Sequence, residues 1–160
     1  MNRALAQIAR VEASKNYHGD TPAAIGSLQP LLAYFSDCLS DDANDNWSGA
    51  FLYHCVRLAG SVLPPKYPDP RVHSAFDRVE AWWEYARLPK IHCLRSPAEV
   101  PEVGDLAVFR QPRDGKPLIG VVLTVGEDSL ELAAGDYHNH SALVELPIVD
   151  TVLGYIRLER

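Results

Sequence analysis

Apolar positions along this chain follow two different rhythms, and the change falls near residue 100. In the first half, Leu5, Ile8, Ala9 and Glu12 lie on one face of an opening amphipathic helix that should end between Asn16 and Asp20. A second helical stretch is predicted from about Thr21 to Leu39, with Pro22 near its start and Pro30 breaking it inside. The run DDANDN reads as a polar turn, and helical spacing resumes from Trp47 to Leu63. Asp45 or Asn46 can cap that helix, because a short acceptor side chain satisfies free N–H groups of the first turn. Gly60 suits its C-terminal end. The segment LPPKYPDP, with four prolines in eight residues, is a stiff loop. Beyond it, Val72, Phe76, Val79, Trp83 and Ala86 recur as a helical stripe. That stripe reads as core, with ligand stacking by Trp82 or Trp83 as the alternative.

The second half obeys the shorter period. DLAVF, IGVVLTV, SLELAA, ALVELPI and TVLGYIRL are β-rich runs separated by Gly, Pro and Asp turns. Helices first and neighbouring strands afterwards predict an α+β domain, its N-terminal helices packed on a C-terminal antiparallel sheet. A length of 160 residues suits one domain over 1–160, and 47% apolar residues suffice for a real core. No repeat, low-complexity tract or linker interrupts it.

Charge and cysteine content narrow the function. The net charge is −6 with Lys and Arg scattered, which argues against nucleic acid, whose affinity comes largely from cations meeting phosphates. No run of 18 apolar residues exists, so no membrane span is expected. The N-terminal stretch lacks the apolar core of a cleaved signal peptide, which points to the cytoplasm or to export without such a signal. Cys38, Cys55 and Cys93 are odd in number and form no C-x-x-C pair, so neither a disulfide framework nor a thiolate zinc site is indicated. No cofactor is expected.

Chemistry, if present, should sit where the third helix begins. Amide hydrolysis by a nucleophile needs an attacking atom, a base within reach and a group orienting that base. A helix N-terminus favours a thiolate through its dipole and offers N–H groups to an oxyanion. Ser48 occupies that place. The run WSGAFLYHCVRLAG (Trp47 to Gly60) resembles the nucleophile helix of CHAP domains, which reads Trp-Cys-x-x-Phe-Val and ends in Ala-Gly. PEVGDLAVF resembles their Pro-Gly-Asp strand, LIGVVLTVGEDSLELAAGDYHNH their His-Val-Gly strand, hairpin and Gly-Gly-Asn segment, and VLGYIR their closing strand. The likeness runs in order over nearly the whole chain.

This resemblance implies a papain-like, NlpC-related fold and a peptidoglycan amidase or peptidase. Carried over by position, the family's cysteine falls on Ser48, its histidine on Leu118 and its third polar residue on Asp136. A serine keeps a hydroxyl, whether it is native or stands for a replaced cysteine; a leucine cannot accept a proton. His54, six residues after Ser48, points to another helix face, and His18, His73 and His92 fall in loops or helix starts. His138 and His140 follow Asp136 closely, so a displaced Ser48–His138 pair is the candidate for catalysis. Trp47, Leu118 and His140 would line the groove as binding residues. In an extended strand Asp136, His138 and His140 would share a face and could hold a metal, but a polar hairpin turn is the favoured reading. Cys55, on the Ser48 face, reads as buried packing. Three functions therefore compete: an amidase acting through Ser48, a catalytically inactive descendant that binds a cell-wall peptide, a glycan or a protein partner, and an ordinary structural or interaction domain with no relict site.

Overall fold

The computed structural model describes residues 2–19, 24–39 and 45–158. Helix α1 (Asn2–Ala13) buries Leu5, Ala6, Ala9, Glu12 and Ala13, and Asn16 in a left-handed conformation turns the chain after it. The expected second helix is broken into pieces: 3₁₀ turns Ala24–Leu28 and Ala33–Phe35 flank a single α-turn, α2 (Gln29–Leu32). Pro30 stands at the start of α2, where its missing N–H costs nothing, and no longer helix extends through it. The expected start at Thr21 and Pro22, and Asp41 to Asn44 of the polar turn, lie outside the described residues.

Helix α3 (Ser48–Leu58) is buried from Ser48 through Val56. Asn46 Oδ1 accepts the Ser48 N–H at 3.3 Å, the capping role expected of this turn. At the other end Gly60 adopts φ 98°, its N–H bonds the Arg57 carbonyl and the Ser61 N–H bonds the Val56 carbonyl. This is a Schellman closure, which requires the left-handed residue that glycine supplies without strain. The helix therefore stops at Leu58 rather than Leu63. Helix α4 (Val79–Arg87) is also shorter than the stripe that predicted it. Val72 and Phe76 reach the core from turns instead, and the Phe76 carbonyl accepts the Trp82 indole N–H at 2.9 Å. Trp82 is fully buried and its ring lies 4.5 Å from that of Phe76, so it serves the core.

All five expected strands form, as β2 (Leu106–Arg110), β3 (Pro117–Val125), β4 (Ser129–Tyr137), β5 (His140–Pro147) and β6 (Val152–Ile156). A two-residue edge strand, β1 (Leu94–Arg95), was not legible beforehand. Every pairing is antiparallel, in the order β1-β6-β2-β3-β4-β5. The domain is thus α+β, helices on a six-stranded antiparallel sheet.

That sheet is rolled. In a flat sheet β5 and β6 would stand four strand spacings apart, about 19 Å. Yet only residues 148–151 join them, folded into a turn in which the Ile148 carbonyl accepts from Thr151 and Val152. The sheet must curl to bring these strands together. Its inner surface collects Ala107, Phe109, Leu118, Val122, Leu132, Val144, Val152 and Tyr155 from five strands into one small core. The helices pack outside the roll, on Leu106, Val108, Ile119, Val121, Leu123, Ala133 and Ile156. Alternation along β2 to β5 divides the two cores, and in β6 the register shift opposite Val108 and Phe109 lets Val152 and Tyr155 share the inner face.

The outer edge of β5 is covered at its start by the segment after α1. Ser141 N–H donates to the Tyr17 carbonyl, Gly19 N–H donates to the Asn139 carbonyl, and His18 forms a bridge with His140. The Ser141 hydroxyl donates to the Ala13 carbonyl and accepts the Tyr17 N–H, both at 2.9 Å. No helix among the described residues is long and apolar enough to cross a membrane.

Candidate functional site

The start of α3 meets the sheet at β3 and β4. Ser48 is fully buried. Its hydroxyl donates to Asn46 Oδ1 at 2.8 Å and accepts the Ile119 N–H at 3.3 Å. Asn46 in turn donates through Nδ2 to the Pro117 carbonyl at 2.8 Å. Together these bonds sew the helix start to the beginning of β3.

Asp136 comes to the same place by a distortion of β4. Two residues, Gly135 and Asp136, stand opposite the single Ser141 between the pairs Ala134↔Ala142 and Tyr137↔His140. This is a β-bulge, and Asp136 takes φ 60° within it. Regular alternation would aim Asp136 into the roll with Leu130, Leu132 and Ala134. The bulge re-aims it toward α3, where Oδ2 accepts the Trp47 N–H at 3.3 Å and an ion pair from Lys116 Nζ at 2.7 Å. Gly135 makes this close approach possible, since a Cβ there would lie 2.5 Å from Phe51 Cβ and 3.0 Å from Trp47 Cζ3. Burial pushes the Asp136 carboxyl above its ordinary range; the Lys116 ammonium and the Trp47 N–H offset that only in part. Asp136 Oδ1 and Trp47 Nε1 are buried without a hydrogen-bond partner among the described residues.

The other expected site residues are dispersed. Leu118 packs inside the roll, on the face of β3 away from α3. It is Ile119 that faces the helix, with Val121 beyond it. His138 is exposed in the β4–β5 turn, where it and Asn139 have φ 52° and 66°. Its main-chain N–H donates to Gln111 Oε1 at 2.8 Å, its ring leans on Tyr137, and no imidazole is hydrogen-bonded to Ser48. His140 stacks on His18 with ring centroids 5.5 Å apart, and its Nδ1 meets Asn16 Oδ1 at 3.2 Å. The positive-φ turn abolishes the alternation that would have gathered Asp136, His138 and His140. Among the described residues no three His, Cys, Asp or Glu side chains gather as a metal site would require. Trp47 is wholly buried and anchors the helix start. Cys55 is wholly buried too, and burial pushes its thiol far up, which leaves it inert.

A second polar cluster went unforeseen. Glu12, 4% exposed on α1, accepts from Tyr17 Oη at 2.9 Å, from His54 Nε2 at 2.8 Å and from Lys15 Nζ at 2.6 Å. His54 Nδ1 meets Tyr34 Oη at 2.9 Å. Because a carboxylate only accepts, Nε2 carries the hydrogen toward Glu12, and Nδ1 pairs with the Tyr34 hydroxyl. Desolvation raises the Glu12 carboxyl, but the bonds from Lys15, Tyr17 and His54 outweigh it and hold the group below its ordinary value. The chain Glu12–His54–Tyr34 braces α1, α3 and the 3₁₀ turn Ala33–Phe35. A charged residue on the apolar stripe of α1 was the available signal, since a buried carboxylate requires partners.

No protein-family model, no curated protein and no solved structure matches this chain.

Proposed function

We propose that this chain has a papain-like fold of the CHAP type whose hydrolytic site has been closed, and that it acts as a binding module for a peptide, a glycan or a protein. The order of the four resembling segments supports the ancestry, and so does their arrangement: the Trp-led helix lies across β3 and β4, the strands that would carry the family's histidine and its third polar residue.

One observation carries the loss of catalysis. The Ser48 hydroxyl is buried between Asn46 and the Ile119 amide, facing a strand whose helix side presents aliphatic residues. A serine is a poor nucleophile without an adjacent base, and none is bonded to it. Neither of the two neighbouring registers of β3 helps, because Leu118 and Ile119 are equally unable to take a proton. The helix start is also occupied. Its Trp47 and Ser48 N–H groups already serve Asp136 and Asn46, so those donors are not free for a substrate oxyanion.

The test compares the parent protein with Ser48→Cys, each checked for folding by circular dichroism, against a panel of muropeptides analysed by chromatography and mass spectrometry. Neither protein should release fragments, while saturable binding without turnover is expected from a peptide, glycan or protein ligand. Cleavage by either protein would overturn the reading and restore the amidase.

A further inference from the structure

A cleft of about 660 Å³ opens at the opposite end of α3 from Ser48. Its walls are the segment Gly60–Pro64, Tyr85 of α4, the stretch from Lys90 to Cys93, Arg95 of β1 and Leu158. Its volume lies in the range of ligand sites, roughly 300–1,000 Å³. From the structure we infer that this cleft binds the C-terminal carboxylate of a peptide ending in an aliphatic residue.

Charge is the first reason. In a chain of net charge −6, the cleft is lined by Lys90, His92 and Arg95 and by no Asp or Glu. Elsewhere cations such as Arg10, Arg71 and Arg157 meet carboxylates. Here Lys90 has no ion-pair partner among the described residues, and the Arg95 guanidinium donates only to the carbonyls of His92 and Leu94, at 3.0 and 3.3 Å. Those bonds orient the guanidinium without neutralising it. Two positive charges therefore share a concavity with no acidic residue in its described lining. The Tyr85 hydroxyl adds a neutral donor: burial pushes its pKa up to about 12, so it keeps its proton.

Shape and polarity supply the second reason. Leu63, Ile91 and Leu158 give the cleft apolar wall, and Val62 at its margin is 91% exposed. Ser61, Tyr85, Lys90, His92 and Arg95 give it polar wall. That mixture suits an amide backbone with an aliphatic side chain and a terminal charge better than it suits an alkyl chain. The framework is held in place: the Gly60 and Ser61 amides are fixed by the Schellman closure, His92 N–H bonds the Leu88 carbonyl, and Arg157 N–H bonds the Cys93 carbonyl. A preformed site costs less ordering on binding. The cleft exists whether or not the fold descends from a hydrolase.

The experiment titrates the full chain, labelled with nitrogen-15, with N-acetyl-alanyl-leucine as the free acid and as its C-terminal amide. The free acid should shift the amides of Gly60–Leu63 and Ile91–Arg95 saturably, and bind about tenfold more tightly than the amide, as one charge-assisted contact would give. Lys90→Glu, at an exposed position, should abolish that preference while its spectrum elsewhere stays that of the parent. Arg95→Gln, tested alongside, should weaken the acid and leave the amide unchanged. Three results overturn the inference: no shift from either peptide up to millimolar concentration, equal affinity for acid and amide, or shifts that map away from the cleft.

Discussion

Replacing Glu12 by leucine should cost about 2–4 kcal/mol of stability at pH 7. The substitution removes the acceptor for Tyr17 Oη and for His54 Nε2, and a buried donor left unsatisfied costs roughly 1–3 kcal/mol. Tyr17 is only partly buried and can turn toward water, which keeps the sum below its upper limit. The Lys15 side chain is 55% exposed, so its ion pair contributes little beside these terms. Leucine fits the apolar stripe and returns some burial energy, so the loss reports mainly on the polar network. Urea denaturation at several pH values measures it. The native Glu12 carboxyl lies below its ordinary value of 4.5, so its contribution is complete above that value and disappears as pH falls through the native pKa. The gap between parent and Glu12→Leu should therefore be full at pH 6 and shrink below about pH 4. A double-mutant cycle with His54→Leu should show coupling of roughly 1–2 kcal/mol, as expected within one network. Additivity within about 0.5 kcal/mol, or a gap unchanged by acid, would refute the bracing role.

Two further outcomes concern the bulge. Gly135→Ala drives a Cβ into Phe51 and Trp47 and should lower the midpoint of thermal unfolding by roughly 4–10 °C, whereas Gly26→Ala, with nothing within 4 Å, should leave it nearly unchanged; calorimetry showing equal effects would contradict the close approach. Asp136 carries the opposite pH sign from Glu12. Its native carboxyl is raised above the ordinary 3.8, so the native state takes up the proton first and gains stability as pH falls through the raised value. Asp136→Asn, which keeps an acceptor for Trp47 and tolerates the left-handed backbone, should be more stable than the parent at pH 7 in urea titrations, with the difference vanishing below about pH 4. A less stable variant, or a difference that grows in acid, would reverse the assignment.

The sequence disclosed elements better than orientations. Alternation made β2 to β6 plain, and Pro30 announced the broken second helix. For β3 the pattern was silent on direction, because both of its faces are buried and Leu118 to Leu123 reads as one apolar run apart from Gly120. Which of Leu118 and Ile119 would meet Ser48 depended on the side taken by the helices. Asp136 was legible as a polar residue beside the third helix, but its route there was not. It depends on a bulge and a left-handed residue set by the turn at His138 and Asn139, and these follow from packing more than from composition. His54 was seen to leave the Ser48 face, yet its partner lies 42 residues away in sequence, a separation periodicity does not span. The cleft near Lys90 is built mostly from loops, which have no period to read.

The segment Tyr17–Gly19 has a consequence outside the site. By hydrogen-bonding along β5 it occupies main-chain groups that an exposed strand would offer to a neighbouring molecule. It acts as a stopper against strand addition between copies. Loosening it, while the rest of the domain stays folded, would free that end of the rim as a template for self-association.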